Sequence, residues 1–157
     1  MKKQKLPKGW YMISDPCYVL SRETYLKDLL NTSEDVKEWE NMKPIEGYGE
    51  IKGHKLFNHG TYIGDGGYYD NDGCSYEVDS GQLSCIPIEL IEDERFGSQF
   101  KKMTNLGGRR LELFHKVFEC SYDDGTFHFG KISIDTKGEM GGLFEEMKKQ
   151  KTKTIKN

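Results

Sequence analysis

HGTYIGDGGYYDNDGCSYEVDSGQLSCIPIEL, residues 59–90, is the stretch whose reading decides the fold. Asp70-Asn71-Asp72-Gly73 stands between Tyr68-Tyr69 and Ser75-Tyr76-Glu77-Val78. A polar turn joining two runs of β-favouring residues predicts a hairpin. Before it, Gly64-Asp65-Gly66-Gly67 sets three glycines around one acid, a pattern that bends a strand or lets another group approach the backbone closely. After it, Asp79-Ser80-Gly81 closes the second strand and Leu83-Ser84-Cys85-Ile86 begins a third. Pro87 has no N–H to donate, so the third strand is expected at a sheet edge or to end at that proline.

Upstream, Trp10 to Leu20 begins as a strand that Asp15-Pro16 interrupts, leaving Asp15, Cys17 and Tyr18 near its tip. Ser21 suits an N-cap, and Tyr25, Leu26, Leu29 and Leu30 recur at helical spacing, which predicts a helix over 22–31. Thr32 with Asp35 resembles a capping box for a second helix through Val36, Trp39 and Met42, stopped by Pro44 and Gly47. Residues 49–57 are too irregular to phase and read as a loop with a short strand. Downstream, Phe96, Phe100 and Met103 suggest a third helix ending at Gly107-Gly108. Phe118, Cys120 and Tyr122, then Phe127 and Phe129 across Asp123-Asp124-Gly125-Thr126, predict a second hairpin. Ile132 and Ile134 fall on the opposite parity to Phe129, which a β-bulge at Gly130 would repair.

These elements sum to an α+β single domain over residues 1–147, an antiparallel and barrel-like β-sheet with two or three short helices, followed by a lysine-rich tail at 148–157 with little to bury. At 157 residues the chain can bury a core without disulfides, and nine Tyr with eight Phe favour a β-rich one. The formal net charge of −3 argues against duplex DNA as a partner. Four scattered cysteines without Cys-x-x-Cys spacing argue against structural zinc, and no cofactor is expected. No run is apolar for long enough to span a membrane and no signal core is visible, so the expectation is a cytoplasmic protein.

Asp15, Asp65 and Asp79 each stand where a predicted strand ends or bends, so their carboxylates are expected to meet at one rim of the sheet. There they would hold a divalent cation or accept from a nucleobase edge; Asp is also simply common at turns. Gly64, Asp65 and Gly66 offer backbone N–H groups to a phosphate, without the lysine of a P-loop. Lys52, Lys55, Arg109 and Arg110 are the cations available to assist. Tyr62, Tyr68, Tyr69 and Tyr76 offer rings for stacking or for cross-strand packing. His59 and Thr61 enter the glycine run, with His59 the histidine best placed for a site. Ser80 flanks Asp79, and Cys17 beside Asp15 permits a thiol nucleophile, although a free cysteine is more often a small buried hydrophobe.

Ser14-Asp15-Pro16-Cys17-Tyr18, Gly64-Asp65-Gly66-Gly67-Tyr68 and Val78-Asp79-Ser80-Gly81 with Ile86-Pro87 resemble the DPCY, GDG-x-Y and VDSG or VDAG…IP segments of a family of short phage and bacterial proteins whose activity is not settled. The resemblance covers about half the chain. Small phage proteins of this size often counter host defence, some by sequestering nucleotide signals, and that is what the resemblance implies here. The leading expectation is therefore a non-enzymatic binder of a small nucleotide-like ligand, with a homodimer compatible with its tyrosine-rich edges. Its rivals are a metal-dependent hydrolase using the three acids with His59, and an inhibitor of a host protein acting through an exposed hairpin or edge strand.

Overall fold

The structure is a computed structural model and describes residues 4–32, 42–92 and 108–137. Its centre is a five-stranded antiparallel sheet in the order β3-β4-β7-β2-β8, formed by β2 (Gly9–Ser14), β3 (Gly47–Ile51), β4 (His54–Gly60), β7 (Gln82–Pro87) and β8 (Arg110–Phe114). A second antiparallel sheet runs β1-β9-β10-β11, from β1 (Gln4–Leu6), β9 (Phe118–Asp123), β10 (Thr126–Phe129) and β11 (Ile132–Asp135). The predicted central hairpin is present as β5 (Gly66–Tyr69) and β6 (Ser75–Val78), with Tyr68 opposite Tyr76. Among the described residues neither sheet closes on itself, so the barrel-like expectation gives way to open sheets, with the Asp70-Asn71 turn bridging the outer edge of β11 at Ile134 and Ser133.

The central sheet is buried on both faces, and side-chain parity sorts its residues between two cores. Tyr11, Ile13, Phe57, Leu83 and Cys85 point to one face, where Phe118, Cys120, Phe127, Phe129, Ile132 and Ile134 of the second sheet meet Tyr68, Tyr76 and Val78 of the hairpin. Met12, Leu56, Ile86 and Leu111 point to the other, under Val19, Leu20, Leu26, Leu29 and Leu30. Each fully buried large side chain contributes about 1.5–3 kcal/mol relative to exposure. Two-sided burial also explains why residues 49–57 resist phasing: Leu56 and Phe57 are adjacent and both buried, one per core.

The helical layer is short. Ser21 caps it as expected, its hydroxyl accepting from the Thr24 amide at 3.2 Å. α1 (Arg22–Thr24) then widens into a five-residue turn over Tyr25–Leu29, where the Leu30 amide donates to the Tyr25 carbonyl. Single 3₁₀ turns at Pro16–Tyr18 and Ile88–Leu90 complete it among the described residues. The two further predicted helices and the basic tail lie outside the described residues, apart from the ends of the first at Thr32 and Met42.

Of the two alternatives for Pro87 the second holds: β7 lies between β4 and β2, not at an edge, and the strand ends at the proline, paired with Tyr11. One expectation changes for a physical reason. Gly130 is not a bulge. Phe129 pairs with Ile132 across a two-residue turn, Gly130-Lys131, with Gly130 at φ +61°, so residues three apart share a face. Two-residue turns also close at Asp124-Gly125 and at Lys52-Gly53, where, unlike Gly130-Lys131, both residues of each pair have positive φ.

Candidate functional site

β2 and β4 run in one direction and β7 in the other, so Ser14, Gly60 and Gln82 fall at the same end of the central sheet. The chain leaving each strand there carries the predicted site. Asp15 is its pivot. This carboxylate is fully buried, and its Oδ2 accepts the amides of Asp79 and Ser80, both at 2.7 Å. Its Oδ1 accepts the Ser80 hydroxyl at 2.7 Å and the Cys17 amide at 2.9 Å. A carboxylate offers about four lone-pair positions, and all four are taken by donors of its own chain. Asp15 is therefore a clamp joining the turn after β2 to the turn before β7, rather than a ligand contact. The Pro16 that interrupts the strand starts the 3₁₀ turn that sets the Cys17 amide within reach.

The three acids do gather at one rim. Asp65 has a carboxylate oxygen 3.8 Å from where a β-carbon on Gly81 would sit. The charges of Asp15, Asp79 and Asp65 all act on Cys17. Burial first, then the Asp15 hydrogen bond and those charges, push the Cys17 thiol up to about 12, which removes it as a nucleophile at neutral pH. Tyr25, missed by the sequence reading, lies against Ser80; burial is the main cause that raises its phenol, with Asp15 and Asp65 adding to it. Arg109, just before β8 at the same end of the sheet, has its guanidinium carbon 5.9 Å from the centre of the Tyr18 ring. Asp65 and Asp79 are exposed, and Cys17, Tyr18, Gly66 and Ser80 are half-buried around them.

Other predicted contacts belong to the scaffold. Thr61 and Gly64 close on each other: the Thr61 hydroxyl accepts the Gly64 amide at 2.8 Å and donates to the Gly64 carbonyl at 2.5 Å. The Gly64 amide is thus unavailable to a phosphate. Tyr68 is in the core and donates to the same carbonyl at 2.8 Å, so it offers no stacking face; Tyr76 opposite it is equally buried. His59 turns away from the rim, stacked on Tyr122 at 3.8 Å with its Nδ1 2.8 Å from the Gly60 carbonyl. Its position on β4 has the parity of Phe57, which faces the sheet-on-sheet core.

The Asp70 turn is a second internal network. Burial alone would raise the Asp70 carboxyl, but hydrogen bonds from Arg110, Tyr76 and the Cys74 and Asp72 amides more than offset this and hold it below its usual range. Arg110 donates to Asp70 at 2.8 Å and pairs with Asp72 at 3.0 Å and Glu112 at 3.1 Å, which commits this guanidinium to structure. Lys52 is likewise held at 3.1 Å from Glu92. Among the described residues, no three His, Cys, Asp or Glu side chains are grouped so as to hold a metal ion.

Fold and rim together define an open, two-core protein built mostly of antiparallel β-sheet, with an acidic and aromatic rim at one end of its central sheet. No protein-family model, curated protein or solved structure matches the chain. Among the described residues no helix is long and apolar enough to cross a membrane.

Proposed function

We propose that this chain is a small-ligand-binding protein that takes up a nucleotide-type signalling molecule at the rim and holds it without turnover. The supporting observation is the Asp15 clamp: a saturated buried carboxylate fixes segments more than sixty residues apart, Asp15 being 64 positions from Asp79, and leaves the Asp65 and Asp79 side chains exposed at the end of the sheet where Arg109 meets Tyr18. Fixed acceptors suit the amino edge of a base or the hydroxyls of a ribose, the ring of Tyr18 suits stacking, and Arg109 suits a phosphate. Preorganisation of this kind lowers the ordering cost of binding. Binding is favoured over catalysis because the rim's thiol is held protonated and Asp15 has no acceptor position left for a proton or a cation. On the resemblance to phage proteins, the role is sequestration of a host defence signal in the host cytoplasm.

The test is mass spectrometry of small molecules released from heat-denatured protein purified from cells with active nucleotide signalling. Recovery of an intact nucleotide, lost in the Asp65→Asn/Asp79→Asn variant, supports the reading. Metal-dependent breakdown of added nucleotide would replace it with the hydrolase.

One observation favours a second reading, inhibition of a host protein. Tyr62 and Ile63 are 59% and 47% exposed on the loop between β4 and β5, and the Tyr62 amide donates to Thr136 at 3.0 Å, which holds them outward. A host protein that co-purifies with the wild type and is lost with Tyr62→Ala/Ile63→Ala, with no effect of nucleotide, would select this reading over sequestration.

A further inference from the structure

The two sheets meet at a pair of thiols that the rim does not use. Cys85 lies on β7, paired with Phe57 on β4 and Ile13 on β2. Cys120 lies on β9, paired with Phe129 on β10 and Gln4 on β1. Both are fully buried and point into the same core, one from each sheet. The rings around them show which parts of the sheets face each other. Phe57, beside Cys85, meets Phe129, beside Cys120, with ring centres 5.7 Å apart. On the other flank Tyr11, diagonal to Cys85 across the β2–β7 ladder, meets Phe118, two residues before Cys120, at 5.0 Å. Between these contacts the Cys85 and Cys120 thiols share a hydrogen bond.

Cys17 at the rim and Cys74 in the Asp70 turn stand on other elements, so the two core thiols have each other as partners. Closing a disulfide draws the sulfurs from hydrogen-bond contact to about 2 Å. Side-chain rotation and a small approach of the strands can supply that, because the two sheets are joined at this point by side-chain packing alone.

We propose that Cys85 and Cys120 form a redox modification site, independent of the rim, which a low-molecular-weight disulfide such as oxidised glutathione converts to a bridge between the two sheets. One protein thiolate attacks the small disulfide and expels one small thiol; the second attacks the protein sulfur of the mixed disulfide and expels the other. One small disulfide is consumed, two small thiols are released, and the two protons lost by the protein end on them. Burial, with Cys120 as hydrogen-bond partner, keeps the Cys85 thiol protonated in the folded chain, so the exchange proceeds during folding or when the sheets open. Reducing surroundings keep the pair as thiols and oxidising ones bridge it.

The test uses the full chain, unfolded in urea, refolded at pH 8 in a mixture of oxidised and reduced glutathione, quenched in acid and mapped by mass spectrometry without reduction. The expected main product is the peptide pair linked through Cys85 and Cys120, with Cys17 and Cys74 outside the bridge. The Cys17→Ser/Cys74→Ser variant, which leaves the core pair as the only thiols, gives the same link. The bridge closes a loop of about 36 residues and restricts the unfolded chain, so it raises the folding equilibrium constant on the order of a hundredfold, read as a higher urea midpoint than that of the same sample after reduction. The proposal is overturned if Cys85 and Cys120 are recovered unlinked or linked to other cysteines, or if the bridged chain is no more stable than the reduced one.

Discussion

Replacing Asp15 by Asn keeps the shape of the side chain and removes its charge, and the structure says what that costs. The carboxylate accepts two donors on each oxygen, Asp79 and Ser80 amides on Oδ2, Cys17 amide and Ser80 hydroxyl on Oδ1. An amide presents one oxygen, so its NH2 must face at least one backbone N–H whichever way it turns, and two of the four bonds are lost or reversed. Hydrogen bonds to a charged group are worth about 1.5–3 kcal/mol each, so the expected loss is about 3–6 kcal/mol. Against a typical total of about 5–15 kcal/mol this is a large fraction. For a chain of this size it lowers the melting temperature by at least about 6 °C. Urea unfolding measures the loss directly, and hydrogen exchange at the Asp79 and Ser80 amides reports whether the clamp itself has opened. Asp65→Asn and Asp79→Asn, at exposed carboxylates, serve as controls and stay within about 0.5 kcal/mol of wild type. A loss under about 1 kcal/mol for Asp15→Asn, or equal losses in all three variants, would refute the assignment of Asp15 as the structural member of the trio.

Asp70→Ala leaves Arg110 buried without its main partner and costs about 3–5 kcal/mol, whereas Asp72→Ala, at the half-exposed member of the same network, costs less than about 1 kcal/mol; equal costs in urea unfolding would contradict the geometry. Because the folded Asp70 pKa lies below its unfolded value, this contribution is complete above the unfolded value near pH 4 and is lost as pH falls through the folded one, so Asp70→Ala flattens the acid limb of the stability profile. Cys17, raised to about 12, reacts with a thiol-specific disulfide reagent at pH 8 at least about a hundredfold more slowly than free cysteine; peptide mapping that finds it labelled at the free-cysteine rate would restore the nucleophile.

What the sequence makes legible is local. The turns Asn71-Asp72-Gly73 and Asp124-Gly125 announce their hairpins because positive φ and polar side chains are needed at those positions themselves, and both hairpins form. The convergence of Asp15, Asp65 and Asp79 also followed from strand ends. Their division of labour did not, since an aspartate that binds its own chain and one that faces solvent look identical until the donors are located; those of Asp15 lie chiefly at residues 79 and 80. His59 and Tyr68 were misplaced because parity decides which way a strand residue points, and parity needs a known core face. The strands β3 and β4 lacked a legible phase because both faces of β4 are covered, and β8 went unread because it opens on the charged Arg110 and its short Leu111, Leu113 alternation breaks at Phe114.

Net charge misled in a related way. A total of −3 suggests a chain short of cations for an anionic ligand, but strand direction, not composition, decides where charges stand. Antiparallel pairing sends the chain segments carrying Asp15, Asp65 and Asp79 to one end of the central sheet and the turns carrying Lys8, His54 and Lys55 to the other. Arg110 and Lys52, equally basic in the sequence, are committed to Asp70 and Glu92. For a nucleotide held at the rim by its base or ribose, adenosine and adenosine monophosphate should both bind more weakly to the Asp65→Asn/Asp79→Asn variant, and a variant that binds both as wild type does would remove these two carboxylates from the site.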